Sequence, residues 1–257
     1  MFSEQFAFDL PAIVNFVGGG GKTPLILKLM DEYSHASHVI YCTTTRIHPP
    51  ESADGLAIIA CDNPEILRVL VEKSARCCDH VRRLVVTRNT IAPRLLGWVA
   101  PDFGQTLDPA LFPIILNEAD GARSMSLKMP RAGEPVLMEG ASYLIPVIGM
   151  DCLMKPLGPE TLFRWETASK QFSLKEGQLL TPELAAGLLL HPQGVCKDWR
   201  RGMRLIPFLN KADGEADDPL AKALAGALLQ NGIFPVERVV WGSVYRCRAD
   251  SISAPGR

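Results

Sequence analysis

The stretch that decides the fold is Ala12-Ile13-Val14-Asn15-Phe16-Val17, which runs directly into Gly18-Gly19-Gly20-Gly21-Lys22-Thr23. A short, mostly apolar run that ends at a glycine cluster is typical of a buried parallel strand. Apolar residues then recur at helical spacing and predict a helix from about residue 22 to residue 32. A strand, a glycine-rich turn and a helix in this order predict a loop that holds phosphate groups at the helix N-terminus.

The rest of the chain alternates between strand-like and helix-like segments. Further strands are predicted at 39–42, 57–60, 84–87, 113–117, 143–148, 205–209 and 236–241, and further helices at 64–76, from Thr181 onward and at 219–230. A turn is predicted before Pro49-Pro50. This alternation implies an α/β protein with a mostly parallel sheet covered on both faces. We predict one P-loop NTPase-like, three-layer domain over residues 1–257, with a loop-rich insertion around residues 121–142.

Composition and charge exclude several classes of partner. The net charge of −1 is close to neutral and gives no field that would attract nucleic acid or an anionic membrane. The seven cysteines include no C-x-x-C pair, so neither a zinc ribbon nor a secreted disulfide framework is indicated. No apolar run is long enough to span a bilayer, and the N-terminus lacks a signal-peptide pattern. We therefore expect a cytoplasmic protein with reduced thiols and no nucleic-acid or membrane partner.

Residues 18–23, here called the glycine turn, carry the groups that a bound nucleoside triphosphate requires. Lys22 is predicted to reach the β- and γ-phosphates, and the Thr23 hydroxyl to bind Mg²⁺. The common pattern G-x-x-x-x-G-K-[ST] has Gly where this chain has Phe16, and the string resembles the G-G-x-G-K-[ST] form found in P-loop metal and cofactor chaperones. The backbone N–H groups expected to surround the phosphates belong to Gly18, Gly19, Gly20 and Gly21.

Two carboxylates follow the predicted strand at 113–117. Glu118 and Asp120 would lie at its carboxyl end, where they can hold the Mg²⁺ shell or orient an attacking water. Read as E-x-x-G, Glu118 and Gly121 match the metal-side motif of GTPase-like chaperones, with Asp120 as a rival ligand. We predict that Lys22, Glu118 and Asp120 carry the catalysis and that Thr23, Glu118 and Asp120 are the metal ligands.

The string Asn210-Lys211-Ala212-Asp213 follows another predicted strand and resembles the N-K-x-D motif of GTPases. In that motif the Asp carboxylate accepts hydrogen bonds from two guanine N–H groups, which adenine cannot offer, and Lys packs over the base. A last base-binding loop is expected near Ser243. The alternative is a surface turn before a helix. The motif favours GTP over ATP as the bound nucleotide.

Two weaker signals each leave two interpretations open. Thr43-Thr44-Thr45 ends the second predicted strand and can either sense a γ-phosphate or simply supply good strand residues. Arg123, Lys128 and Arg131 lie in the predicted insertion. They can clamp an anionic substrate, or they can be ordinary solvated charges.

Taken together, these residues resemble the YqeC family. The similarity includes Val17 to Thr23, the threonine run and residues 210–213. Its most specific part is the string from Asn117 to Arg123 with the K-x-P and E-P that follow at Lys128 and Glu134. Residues 147–151, with Lys155-Pro156-Leu157, extend it. The resemblance implies an accessory role in the maturation of selenium-dependent molybdenum hydroxylases. A hydroxylase of that kind, or its cofactor, is therefore an expected partner.

Three functional hypotheses follow from these patterns. The leading one is a Mg²⁺-dependent nucleoside triphosphatase that favours GTP and acts in selenium cofactor assembly or in hydroxylase maturation. The second is a phosphoryl or nucleotidyl transferase that acts on a small cofactor. The third is a non-hydrolysing module in which bound nucleotide switches partner affinity.

Overall fold

The computed structural model describes residues 1–45, 50, 55–78, 80–91, 94–96 and 100–255. The turn predicted before Pro49 falls largely on residues outside this described part. The strands are β1 Ala12–Gly18, β2 Val39–Thr43, β3 Leu56–Ala60, β4 Arg83–Thr87, β5 Asn89–Ile91, β6 Arg94–Leu96, β7 Ile114–Glu118, β8 Leu127–Lys128, β9 Tyr143–Gly149, β10 Leu162–Phe163, β11 Arg204–Leu205, β12 Phe208–Asn210, β13 Arg238–Ser243 and β14 Arg248–Ser253. The α-helices are α1 Phe2–Phe6, α2 Lys22–Ser34, α3 Pro64–Cys77, α4 Trp165–Phe172, α5 Pro182–Leu189 and α6 Asp218–Gln230.

A large sheet forms the centre of the protein. Its strands follow the order β14-β13-β12-β9-β1-β7-β2-β4-β3, and β11 also pairs with β9. Every pairing in this sheet is parallel except that of β13 with β14. The predicted α/β class with a mostly parallel sheet is confirmed.

Helices cover both faces of the sheet. Along β9, Tyr143 and Ile145 belong to the apolar core that β1 and β7 share with α1 and α2, whereas Leu144 and Ile148 belong to the core under α5 and α6. This alternation follows from the period of two along a strand. A third apolar cluster packs α3 against the outer part of the sheet. The arrangement is the three-layer, P-loop-like fold that the sequence predicts.

Local signals place several helix ends. The Asn63 side chain accepts hydrogen bonds from the N–H groups of Glu65 and Ile66 and caps α3, and Thr181 caps α5 through the N–H of Leu184. Both helices then have proline in the first turn, where no N–H partner is lost. Among the described residues, no helix is long and apolar enough to cross a membrane.

Two features differ from the sequence prediction. The strand predicted at 205–209 is divided into β11 and β12, although both pair with β9 in one continuous register. The interruption falls at Pro207, which has no backbone N–H to donate to a neighbouring strand. The helices α1 and α4 and the strands β5, β6, β8, β10 and β14 were not predicted.

The register of the central strands brings the candidate residues to one edge of the sheet. Phe16 of β1 lies opposite Glu118 of β7, and Gly18 lies opposite Val147 of β9. On the far side of β9, Asn210 pairs with Gly149. The carboxyl ends of β7, β1, β9 and β12 therefore meet around the glycine turn, the usual place for a ligand in an open α/β sheet.

Candidate functional site

Close backbone contacts fix the shape of the glycine turn. Gly20 has φ of +77°, and a Cβ there would lie 2.1 Å from the N atom of Gly149. Gly21 has φ of +106°, and its Cβ would lie 2.6 Å from Nδ2 of Asn210. An L side chain at either position would therefore be strained and would clash. The glycines allow the turn to pack directly on the ends of β9 and β12.

The N–H groups of the turn fall into two sets. Three are bonded within the protein: Gly18 N–H to the Asp120 carboxylate at 3.1 Å, Gly19 N–H to Val147 O at 2.9 Å and Gly20 N–H to Met125 O at 2.9 Å. In the described part of the chain, the N–H groups of residues 21–23 donate to no protein acceptor. These three begin helix α2, where unbonded N–H groups and the helix dipole favour an anion.

Lys22 is 4% exposed, and its ammonium group faces two carboxylates. Its Nζ donates to Gly18 O at 2.5 Å and lies 3.1 Å from Asp120 Oδ1 and 3.7 Å from Glu118 Oε1. Burial by itself lowers the pKa of Lys22, but Asp120 and Glu118 outweigh this effect and the pKa is raised. Lys22 is therefore a positive charge held immediately behind the free N–H groups.

Glu118 and Thr23 are joined directly. The Thr23 hydroxyl donates to Glu118 Oε2 at 2.8 Å, and the buried Tyr41 hydroxyl donates to the same oxygen at 2.7 Å. Burial raises the pKa of Tyr41 well above its usual value, and the Glu118 charge adds to the effect. A hydroxyl and a carboxylate oxygen in contact fit the few protein ligands that Mg²⁺ takes beside phosphates and water. Within the described residues there is no group of three or more His, Cys, Asp or Glu side chains that could hold a metal by themselves.

Asp120 lies behind the turn and is fully buried. Its carboxylate accepts the Gly18 N–H and lies 3.1 Å from the Lys22 ammonium and 3.0 Å from that of Lys128. Both of its oxygens are therefore committed to protein donors. Of the two carboxylates predicted as metal ligands, Asp120 is thus already paired with the ammonium groups of Lys22 and Lys128.

Lys128 is a second buried cation of this network. Its side chain is completely buried, and its Nζ lies 3.0 Å from Asp120 Oδ2 and 3.0 Å from Glu134 Oε2, and donates to Gly121 O at 2.7 Å. Lys128 does not reach the surface where a substrate would bind. Arg123, Lys128 and Arg131 were predicted to clamp an anion; of these, Lys128 instead joins Glu134 to the buried Asp120.

Glu134 joins Lys128 to two arginines. Arg164 pairs with both carboxylate oxygens, at 2.8 and 3.2 Å, and Arg131 Nε lies 2.9 Å from Oε1. Burial raises the pKa of Glu134, but Arg164 and Lys128 more than compensate and lower it from its usual 4.5 to about 2. Glu134 is therefore a carboxylate at any physiological pH.

This pKa shift predicts how stability depends on pH. A folded-state pKa below the unfolded value means that the Glu134 carboxylate stabilises the fold above about pH 4.5, and that this contribution is lost as the pH falls towards about 2. Glu134→Gln is expected to lower the free energy of unfolding at neutral pH, and the difference from wild type should shrink from about pH 5 downward. Urea unfolding at a series of pH values measures this. Glu139→Gln, at an exposed position, is the control; a Glu134→Gln effect that does not vary with pH contradicts the assignment.

The predicted base-binding residues lie at the carboxyl ends of β12 and β13. The Asn210 amide donates to Gly20 O at 2.7 Å and accepts from the Val244 N–H at 3.2 Å, so it braces the glycine turn. The buried Ser243 hydroxyl accepts the Arg246 N–H at 3.1 Å. Asp213 is exposed at the end of the motif.

Lys211 makes contacts that were not predicted. It has φ of +65°, and its Nζ donates to the Ser126 hydroxyl at 2.7 Å and to Asp151 Oδ2 at 2.9 Å. Ser126 in turn donates to Asp151 Oδ1 at 2.5 Å. These bonds fix the ammonium end, so only the carbon chain of Lys211 is left to pack against a base.

The threonine run divides between two environments. The Thr43 hydroxyl donates to Thr45 O at 2.9 Å, and the Thr44 hydroxyl donates to Val136 O at 2.9 Å. Both close the turn after β2. Thr45 alone of the three lines the cavity described next, so it is the one candidate of the run for contact with a γ-phosphate.

A cavity of about 780 Å³ opens in front of the glycine turn. Its walls are residues 19–24, 121–125 and 163–164, together with Thr45, Glu118, Arg131, Glu134 and Lys211. The cavity therefore brings the free N–H groups of the turn, Glu118 and several arginines into one space. Asp120, Asn210, Asp213 and Ser243 do not line it.

Comparison with protein-family models matches residues 14–166 to YqeC, described as "YqeC protein". This span is more than half of the 257-residue chain. The chain belongs to the YqeC family. The matched span contains the glycine turn, Glu118 and the Lys128–Glu134 network, so the YqeC-family region builds most of the cavity wall. Asn210 and Asp213 lie outside it.

A curated relative supports the same family. The Escherichia coli (strain K12) protein described as "Uncharacterized protein YqeC" is 26% identical over 203 residues, which cover 78% of this chain and 76% of the relative. No solved structure gives a significant match.

Several residues of this YqeC-family site had no predicted role. Tyr41, Ser126, Asp151, Phe163 and Arg164 all contact predicted site residues or line the cavity. Asp151 had at least a local signal, because it follows an apolar strand as Glu118 does. Arg164 had none, since its partner Glu134 is 30 residues away in sequence.

Proposed function

We propose that this protein binds a nucleoside triphosphate with Mg²⁺ at the glycine turn and hydrolyses it, with GTP favoured over ATP. The observation that carries this proposal is the combination of three unbonded N–H groups at residues 21–23 with the buried ammonium of Lys22, all at the edge of a large cavity. Backbone N–H groups at a helix N-terminus and a lysine point charge are the elements that hold a polyphosphate. In this proposal Lys22 leaves Gly18 O and donates to phosphate oxygens.

The contact between Thr23 and Glu118 supports the metal side of the proposal. Mg²⁺, when bound, supplies neutralisation of the phosphate charge. Thr23 would bind the ion directly, and Glu118 would bind it or orient one of its waters. Tyr41 holds Glu118 in place through its 2.7 Å hydrogen bond, and Asp120 restrains Lys22 from behind.

One titration tests nucleotide binding and hydrolysis together. The full chain is titrated with GTP, ATP and their non-hydrolysable analogues, with and without Mg²⁺, and phosphate release is then followed. Mg²⁺-dependent binding of GTP with release of free phosphate is expected. Tight binding with the nucleotide recovered intact would instead support the nucleotide-switched binding module, and absence of any nucleotide binding contradicts both.

Asp213→Asn is expected to reduce the preference for guanine. The Asp213 carboxylate is proposed to accept two guanine N–H groups, and replacing one of its oxygens by an NH₂ group turns one acceptor into a donor. A lost charge-assisted hydrogen bond with a mismatched donor changes affinity by roughly 2–3 kcal/mol, so the GTP-to-ATP affinity ratio should fall on the order of 30–160-fold. Competition titrations measure that ratio. Asp217→Asn, four residues further on, is the control, and an unchanged ratio in Asp213→Asn contradicts the base assignment.

The wider role that we propose is accessory: nucleotide turnover would serve selenium cofactor assembly or the maturation of a selenium-dependent molybdenum hydroxylase. The YqeC-family resemblance supports this part. Cells whose only copy carries Lys22→Ala should lose the hydroxylase activity, whereas cells with Lys28→Ala should keep it. Equal hydroxylase activity in the two strains contradicts the accessory role, but it does not contradict the proposal that the protein binds a nucleotide.

A further inference from the structure

The cavity extends away from the predicted base-binding residues. Of the residues assigned to the base, only Lys211 lines it, whereas residues 121–125, Arg131 and residues 163–164 form a large part of its wall. A nucleotide bound at the glycine turn with its base at Asp213 would therefore leave this part of the cavity unfilled. We call it the arginine end and define it by Arg123, Arg131, Phe163 and Arg164.

Positive charge exceeds negative charge at the arginine end. Three guanidinium groups, of Arg123, Arg131 and Arg164, lie at this end with one carboxylate, that of Glu134, which pairs with Arg131 and Arg164. The buried Lys128 ammonium is balanced by Asp120. The excess of two positive charges matches the dianion that a phosphate group carries near neutral pH.

The donors that remain free belong to two of these arginines. Arg164 uses both of its terminal nitrogens on Glu134, but Arg131 pairs through Nε, and its terminal nitrogens make no hydrogen bond or ion pair within the described residues. Arg123 has no carboxylate partner among those residues either, and its guanidinium carbon lies 5.5 Å from the centroid of the Phe163 ring. Arginine forks are suited to bidentate binding of phosphate oxygens.

The backbone at this end is strained. Eight described residues other than glycine have positive φ, and four of them line the cavity: Arg123, Ser124, Arg164 and Lys211. Residues held in this region of φ cost about 1 kcal/mol or more each and are concentrated at ligand-binding sites. Arg123 and Ser124 are consecutive residues with φ of +48° and +64°, and both line the cavity.

We propose that the arginine end binds a second ligand that carries a phosphate group, beside the terminal phosphate of the nucleotide. Arg123 and Arg131 donate to the phosphate oxygens, and the Phe163 ring contacts the part of the ligand next to the phosphate. This inference rests on the proposed function, because it assigns the glycine-turn end of the cavity to the nucleotide. The ligand is either inorganic phosphate or a phosphate ester of a small organic molecule.

The test uses the full chain saturated with Mg²⁺ and a non-hydrolysable GTP analogue, so that the glycine turn is occupied. Calorimetric titration with phenyl phosphate, and separately with inorganic phosphate, should show one site per chain. Tighter binding of phenyl phosphate identifies an ester, and equal binding identifies phosphate itself. Arg131→Gln should lower the affinity on the order of 10-fold or more, since a hydrogen bond to a charged group contributes ~1.5–3 kcal/mol. Arg123→Asn, which tolerates the positive φ, should act in the same direction.

Matched controls separate this inference from the proposed function. Arg201→Gln, at an exposed position outside the cavity, should leave phenyl phosphate binding unchanged. A nucleotide-bound protein that binds neither probe overturns the inference, as does an affinity that Arg131→Gln does not change. If the wild type binds no nucleotide but binds phenyl phosphate in a manner that depends on Arg131, the proposed function fails and the second site stands.

Discussion

Lys22→Ala is expected to abolish measurable binding of GTP in the presence of Mg²⁺. Lys22 is proposed to be the cation that the turn itself supplies to the phosphates, and it is already buried beside the free N–H groups of residues 21–23. Two charge-assisted hydrogen bonds to phosphate oxygens contribute ~1.5–3 kcal/mol each, so affinity should fall on the order of 100-fold or more. Fluorescence titration with a labelled GTP analogue measures the loss.

The matched control for this variant lies on the same helix. Among the described residues, Lys28 forms ion pairs at 3.9 Å with Asp31 and 3.8 Å with Glu32, and Lys28→Ala should leave GTP affinity unchanged. Lys22→Ala is expected to fold, because Asp120 retains Lys128 and the Gly18 N–H as partners. Thermal unfolding of the variant checks this. A folded Lys22→Ala protein with wild-type affinity for GTP contradicts the proposed function.

The sequence predicts the elements around the site well because their signals are local. A strand that ends in four glycines, a helix that begins at Lys22 and apolar strands that deliver Glu118 and Asn210 can each be read from a few neighbouring residues. Parallel strands then bring their carboxyl ends to one edge without any further information. The mostly parallel sheet and the meeting of these strand ends at one edge are confirmed in the structure.

The ion pairs and hydrogen bonds within the site cannot be predicted from neighbouring residues in the same way. Asp120 reads from sequence as a metal ligand, but its environment depends on Lys128, and that of Lys128 depends on Glu134, which Arg164 reaches from 30 residues further along. Nothing in the residues next to Asp120 indicates that both of its oxygens are occupied. Burial and charge pairing are properties of the folded chain, and they decide which of two adjacent carboxylates faces a ligand.

Lys128→Met is expected to be the most destabilising single change in this network. The Lys128 side chain is fully buried, and methionine keeps most of its apolar volume while removing the charge that faces Asp120, Glu134 and Gly121 O. Removing one partner of a buried ion pair costs about 3–5 kcal/mol, and the lower end applies because each carboxylate keeps another cation. For a chain of this size we expect the melting temperature to fall by roughly 10 °C. Lys170→Met, at an exposed position of α4, should have little effect, and a similarly small effect in Lys128→Met contradicts a structural role.

The same variant should also weaken nucleotide binding, although Lys128 does not touch the nucleotide. In the wild type, Lys22 can leave Asp120 for the phosphates because Lys128 continues to neutralise that buried carboxylate at 3.0 Å. Without Lys128, the move would leave Asp120 buried with only the Gly18 N–H as a donor, and part of the binding free energy would be lost to that unpaired charge. GTP affinity should fall on the order of 10-fold in Lys128→Met, measured below its melting temperature. In the double variant Lys128→Met/Asp120→Asn, residue 120 carries no charge that could be left unpaired, so the GTP affinity should recover. Failure to recover would mean that Lys128 affects nucleotide binding by another route.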